Sequence, residues 1–190
     1  KNVKIATYNV NSIRSRLHIV LPWLQKNRPD YLCLQETKVA DDKFPAAEFA
    51  GLGYHVILKG YKQHAGVAIV SKQKPQKVIF GLDDETNDAD RIIAATYDGL
   101  AVINTYVPQG QSKDSPHYAY KLAWFRRLKK YLQKHFQPQN RIVWCGDLNV
   151  APEAIDVHDP KRILGHVCFN PEVWSAFGNI KSWGFIDVFR

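Results

Sequence analysis

Four short apolar runs of this sequence end in polar residues of the kind that grips hard cations. Residues 3–8 lead into Asn9 and Asn11, residues 31–34 into Glu36, residues 100–106 into Tyr106 and Gln109, and residues 142–145 into Asp147 and Asn149. Each run has the length and the β-branched or aromatic content of a strand. Neighbouring strand ends share a rim, so one site built from all four is physically economical. Two carboxylates, several amides and a phenol, without thiol or imidazole neighbours, suit an oxygen-preferring cation such as Mg²⁺ and disfavour zinc. Asp147 and Asn149 stand two apart, so in an extended chain they face the same side, one an acceptor and the other both donor and acceptor. Alone, that pair fits an Asx turn better; the three companion strand ends reverse the preference.

Other chemistries find no support. The seven histidines show no HExxH spacing, and neither a GxSxG elbow nor a GxxxxGK[ST] loop occurs. Cys33, Cys145 and Cys168 are odd in number and far apart, which suits reduced thiols and a cytoplasmic location. The first residues are too polar for a signal peptide, and no apolar run reaches the ~18 residues of a membrane span, so no membrane partner is expected. A chain of 190 residues with net charge +8 and a pI of about 9.4 supports a real core and favours a polyanionic partner, nucleic acid first.

The elements that must position these residues follow from local pattern. Ser12 is a good N-cap for a helix with Ile13, Leu17, Val20, Leu21 and Leu24 at helical spacing, closed by Pro29. Residues 41–53 form a turn-rich connection anchored by Phe44 and Phe49. Residues 54–58 and 66–71 pair as strands, residues 77–80 make another, and the acidic stretch GLDDETNDAD reads as a solvated loop. Residues 91–97 and 100–106 form a hairpin across Asp98–Gly99. Ser115–Pro116 starts a long helix whose buried stripe is expected to be Tyr120, Leu122, Ala123, Phe125, Leu128, Leu132 and Phe136; its Arg and Lys residues form a solvated face. Residues 142–145 should be a buried strand turning tightly at Gly146. Residues 152–171 read as a surface loop, Pro171 as the start of a short helix through Ile180, and FIDVFR as the start of a further element. Strands with interspersed helices and one clear hairpin indicate an α/β or α+β sandwich with a mixed sheet.

Four motifs, TYNVNSIRSRL, YLCLQETK, INTYVPQG and VWCGDLNVAP, in this order across the full 190 residues, closely resemble the exonuclease III and AP endonuclease family. The resemblance implies a four-layered α/β sandwich of two mixed, mainly antiparallel sheets flanked by helices. It also implies Mg²⁺-dependent hydrolysis of DNA phosphodiesters, with Mn²⁺ as an alternative metal, at abasic sites and 3′ ends of double-stranded DNA during base-excision repair. By the same resemblance Glu36 is the metal-binding glutamate, Asp147 orients or deprotonates the attacking water, and Asn149 steadies the phosphate or nucleophile. Asn9 holds Asp147, Tyr106 is the phenol beside the scissile phosphate, and Gln109 contacts DNA. Asn11 stands where some members have an aspartate, which weakens it as a metal ligand. Arg91, Arg14 and Arg16 are backbone contacts or solvated surface.

The family's sequences run on past the position matching Arg190, and that part carries a late aspartate, a pocket tryptophan and a closing Ser-Asp-His motif. Residues 1–190 are therefore expected to form one endonuclease/exonuclease/phosphatase-type domain lacking its C-terminal part, with the second sheet incomplete. Two readings of function follow. The first is a metal-dependent nuclease that is inactive as the 190-residue chain alone and active once the C-terminal segment is supplied, and the second a non-catalytic DNA-binding or assembly fragment. A phosphatase of the same superfamily is disfavoured by the wording of YVPQG and GDLNVAP.

Overall fold

The short apolar runs become two four-stranded sheets in the computed structural model, which describes residues 2–188. The strands are β1 (Ile5–Asn9), β2 (Tyr31–Gln35), β3 (His55–Tyr61), β4 (His64–Ser71), β5 (Lys77–Phe80), β6 (Ile92–Tyr97), β7 (Leu100–Tyr106) and β8 (Arg141–Asp147). The first sheet has the order β1-β2-β4-β3 and the second β5-β6-β7-β8. Each contains one parallel pair, β1 with β2 and β7 with β8; the other pairs are antiparallel. Both sheets lie in one compact unit, made of the chain up to Tyr106 together with Arg141–Asp147; Val107–Asn140 and the chain from Leu148 onward form a second unit.

Within the first unit the sheets pack face to face. Cys33, Val67 and Ile69 from one meet Ile93, Ala95 and Val102 from the other, as alternation along each strand requires. The outer face of the first sheet is covered by α1 (Ile13–Asn27) and α2 (Ala46–Ala50), whose Ile13, Val20, Leu24 and Phe49 pack against Leu32, Leu34, Ala68 and Val70. Burying each large side chain contributes roughly 1.5–3 kcal/mol. Ser12 caps α1 by accepting from the backbone N–H of Ser15, and Phe44 and Phe49 are both buried. The hairpin turns at Asp98 and Gly99, both with positive φ, and pairs Tyr97 with Leu100, the two-residue turn that strand twist favours.

Some expectations change. β1 runs on to Asn9, which therefore occupies the last inward position of its strand. β8 does not turn at Gly146 but continues to Asp147, and its residues 142–147 are half-exposed rather than buried, because among the described residues β8 has a neighbouring strand on one side only. Gly146 has a φ of 134°, and a Cβ there would fall on the carbonyl oxygen of Thr105; the glycine serves close strand approach, not a turn. The acidic loop is solvated only in part, since Asp88 and Asp90 are buried, and burial raises the carboxyl of Asp90 above its usual range.

In the second unit, α3 (Pro116–His135), α4 (Pro160–Ile163) and α5 (Pro171–Lys181) each begin with proline in the first turn and a side-chain cap from Ser115, Asp159 or Asn170. The buried stripe of α3 is Tyr118, Lys121, Trp124, Phe125, Leu128, Tyr131 and Leu132. Tyr120, Leu122, Ala123 and Phe136 are only half-buried. The expectation missed a buried lysine, since apolar periodicity assigns no inward place to an ammonium. The connection before α5 is not wholly surface either: Val167, Phe169 and Asn170 are buried. Of FIDVFR, residues 185–188 form no helix or strand, and Phe189 and Arg190 lie outside the described residues.

Candidate active site

The inward faces of β1, β2, β7 and β8 are stacked in layers. Register pairs Asn9 with Gln35 and Tyr106 with Asp147, so the last inward residues of β1, β7 and β8 are Asn9, Tyr106 and Asp147, and Glu36 follows β2 directly. Asn9 Nδ2 donates to Glu36 Oε1 at 2.8 Å and to Asp147 Oδ2 at 2.8 Å. The amide orientation is fixed by its other end, since Asn9 Oδ1 accepts from the backbone N–H of Asn11 at 3.0 Å. One amide thus holds two carboxylates from different sheets within two hydrogen-bond lengths of each other.

Glu36 sits on a strained tip. Glu36 and Lys38 have φ of 52° and 53°, a left-handed conformation that costs about 1–2 kcal/mol per residue. The kink is held by backbone bonds: Thr37 and Lys38 donate to Gly66 and Ala65, and Ser12 and Ile13 donate to Glu36 and Thr37. Burial pushes the Glu36 carboxyl up, but hydrogen bonds from Asn9, Lys38 and Tyr106 outweigh it and leave the group below the usual range, hence ionised. Lys38 Nζ lies 2.8 Å from Glu36 Oε2 and also donates to Asn11 Oδ1 at 2.5 Å. The carbonyl that would make Asn11 a ligand is therefore engaged by an ammonium.

Tyr106 is pushed up to about 12, first by burial and then by the Glu36 charge, so it remains a neutral phenol and a donor. Arg91 lies over its ring with the guanidinium 4.9 Å from the centroid and donates to the Tyr106 carbonyl at 3.2 Å. Arg91 is thus placed on Tyr106, whereas Arg14 is exposed and Arg16 half-exposed in the first turn of α1.

Asn149 and Gln109 belong to the second unit. Extended geometry stops after Asp147, and Asn149 has a φ of 46°, so the same-side relation expected for an extended pair does not arise. Its Nδ2 donates to the Val107 carbonyl at 2.8 Å. Lys121, fully buried, donates to the carbonyls of Gln109 at 3.1 Å, Asn149 at 2.6 Å and Val167 at 2.8 Å. The exposed Gln109 side chain accepts from Gln111 N–H at 2.6 Å. Sequence reasoning missed Lys121, together with Gln35 and Asn104 beneath Glu36. The available signal was an amide at an inward position of an otherwise apolar strand.

Among the described residues no three His, Cys, Asp or Glu side chains gather into a metal cluster. Glu36, ionised, with Asp147 beside it through Asn9, presents hard oxygen atoms of the kind a divalent cation takes.

The chain's sequence and fold match a known family. The sequence pattern of the endonuclease/exonuclease/phosphatase family covers residues 6–188, and the chain belongs to that family. It is 36% identical to exodeoxyribonuclease III of Haemophilus influenzae over 99% of its own length and 75% of that protein's. Its fold superposes on an AP endonuclease from Archaeoglobus fulgidus with a TM-score of 0.97 at 56% identity, covering 100% of this chain and 74% of the other. It also superposes on a 3′ phosphatase from Neisseria bound to a product DNA hairpin, with a TM-score of 0.89 at 38% identity, over 96% and 71% of the two chains. The family is generally dependent on divalent metal.

Proposed function

We propose that this chain is a Mg²⁺-dependent DNA phosphodiesterase of base-excision repair, acting as an AP endonuclease, a 3′–5′ exonuclease or both. The observation that carries the reading is the single amide of Asn9 holding Glu36 and Asp147 together at 2.8 Å each. Asp147 accepts the proton of the attacking water, a role worth about 10²- to 10⁴-fold. The neutral phenol of Tyr106 donates to oxygens that gain charge, and Asn149 and Gln109 supply further contacts to phosphate and DNA. Mg²⁺ held by Glu36, with Asp147 adjacent, would neutralise charge on the phosphoryl oxygens and on the leaving group. Arg14 and Arg16, on a chain of net charge +8, are proposed contacts to the DNA backbone. A segment equivalent to the part of the relatives that this chain does not span, which is a quarter of the Haemophilus protein given 75% coverage, is the partner proposed to raise activity when added in trans.

The test is cleavage of an abasic-site duplex in Mg²⁺ and in EDTA, with and without that segment. Strand scission 5′ to the abasic site that EDTA abolishes is the expected result; no metal-dependent scission in either arm overturns the reading. The Neisseria 3′ phosphatase favours a second activity, so a duplex with a 3′ phosphomonoester belongs in the same assay.

A further inference from the structure

One layer beneath the carboxylates, the interior of the sandwich changes from apolar to amide. Along β2 the inward residues are Tyr31, Cys33 and Gln35, and along β7 they are Leu100, Val102, Asn104 and Tyr106. Gln35 and Asn104 are 1% and 0% exposed. Gln35 Nε2 donates to Asn104 Oδ1 at 2.8 Å, to Thr7 Oγ1 at 3.0 Å and to the Cys33 carbonyl at 3.1 Å. Asn104 Nδ2 crosses from the second sheet to the first and donates to the carbonyls of Leu34 and Ala68 at 2.9 Å each. Gln35 precedes Glu36 by one residue, and Asn104 precedes Tyr106 by two.

We infer that the Gln35–Asn104 pair is a positioning element of the reaction: a hydrogen-bonded rung that fixes the register of the two sheets under the site and so sets Glu36 against Tyr106 and Asp147. The inference rests on the nuclease reading above and extends it to two residues that touch neither metal nor substrate. The bonds do more than hold the two amides to each other, since four of the five run to the Thr7 hydroxyl and to the Cys33, Leu34 and Ala68 carbonyls, so apolar replacements cost stability as well. What an apolar pair lacks is direction. Side-chain methyls slide past one another, whereas Asn104 bound to two carbonyls of adjacent strands accepts one position only. The Asn9 bridge above joins the same two sheets and works only if that position is kept.

The decisive variant is Gln35→Met with Asn104→Leu, which keeps volume and removes both amides. The melting temperature is expected to fall, because four acceptors lose their donors, and the kinetics are therefore read well below it. The kcat on the abasic duplex should fall about 10-fold or more with KM within about twofold, and the side-chain amide resonances of Asn9 should shift and exchange faster. A folded double variant with wild-type kcat and unmoved Asn9 resonances overturns the inference. If this variant does not fold, the exchange Gln35→Asn with Asn104→Gln carries the test: it keeps both amides and the total volume but displaces their reach by one methylene. It too should lose about 10-fold in kcat, and wild-type kcat in the exchanged pair overturns the inference. Should the unmodified chain show no metal-dependent cleavage with or without the added segment, the nuclease reading fails, while the Asn9 resonances still decide whether the rung sets the carboxylates.

Discussion

Asn9 and Asp147, 138 residues apart in sequence, meet through one hydrogen bond of 2.8 Å, and the same Asn9 nitrogen holds Glu36. Asn9→Ala leaves two carboxylates facing each other without the shared donor. Turnover on abasic DNA is expected to fall about 10- to 100-fold, as for other residues that orient a metal ligand, while binding measured on uncleaved DNA in EDTA stays unchanged. Equal losses in binding and turnover would show that Asn9 acts on DNA directly.

Asp147→Ala removes the proposed proton acceptor and is expected to cost about 10²- to 10⁴-fold in kcat, with DNA affinity retained. Single-turnover cleavage separates the two quantities; unchanged turnover would rule out the assignment.

Lys38 occupies the outer oxygen of Glu36 at 2.8 Å, where a divalent cation would compete with it. Lys38→Met is expected to lower the Mg²⁺ concentration for half-maximal cleavage several-fold, because opposite charges within a few ångströms compete for one carboxylate. A metal titration checks this, and a raised half-saturation point would mean that Lys38 assists the metal.

Gly146→Ala should abolish stable folding. The new Cβ would fall on the Thr105 carbonyl oxygen of the paired strand, and the φ of 134° is one that side chains rarely adopt. Both penalties fall on strands whose tips carry Tyr106 and Asp147, so loss of the thermal transition is expected together with loss of activity. Calorimetry decides.

Tyr106 and Tyr97 are each raised to about 12, burial being the main cause in both. A folded-state value above the unfolded one means that the protonated phenol is favoured by folding. This contribution is fully present below pH about 10 and is lost as pH climbs from about 10 to 12. Urea midpoints should therefore decline across that interval, and less steeply in Tyr106→Phe. An equal decline in both would place the loss elsewhere.

Much of this was legible in the sequence because it is local. Short apolar runs rich in β-branched and aromatic residues identified the strands, Ser12, Ser115 and Pro116 marked helix starts, and the Asp98–Gly99 turn joined β6 to β7. The polar strand tips and their resemblance to one family's motifs nominated Asn9, Glu36, Tyr106, Asp147 and Asn149. Illegible were the features that depend on which strand lies beside which. Nothing near Gly146 in sequence shows that Thr105 presses on it, nothing near Asn104 shows the carbonyls of Leu34 and Ala68, and no periodicity rule places Lys121 in a core. Side-chain alternation is a property of one strand, and the sequence by itself therefore determined which residues point inward together. Pairing and stacking are properties of two strands brought together by the whole core, so only the tertiary structure decided that Asn9 would stand between Glu36 and Asp147, over a rung made by Gln35 and Asn104.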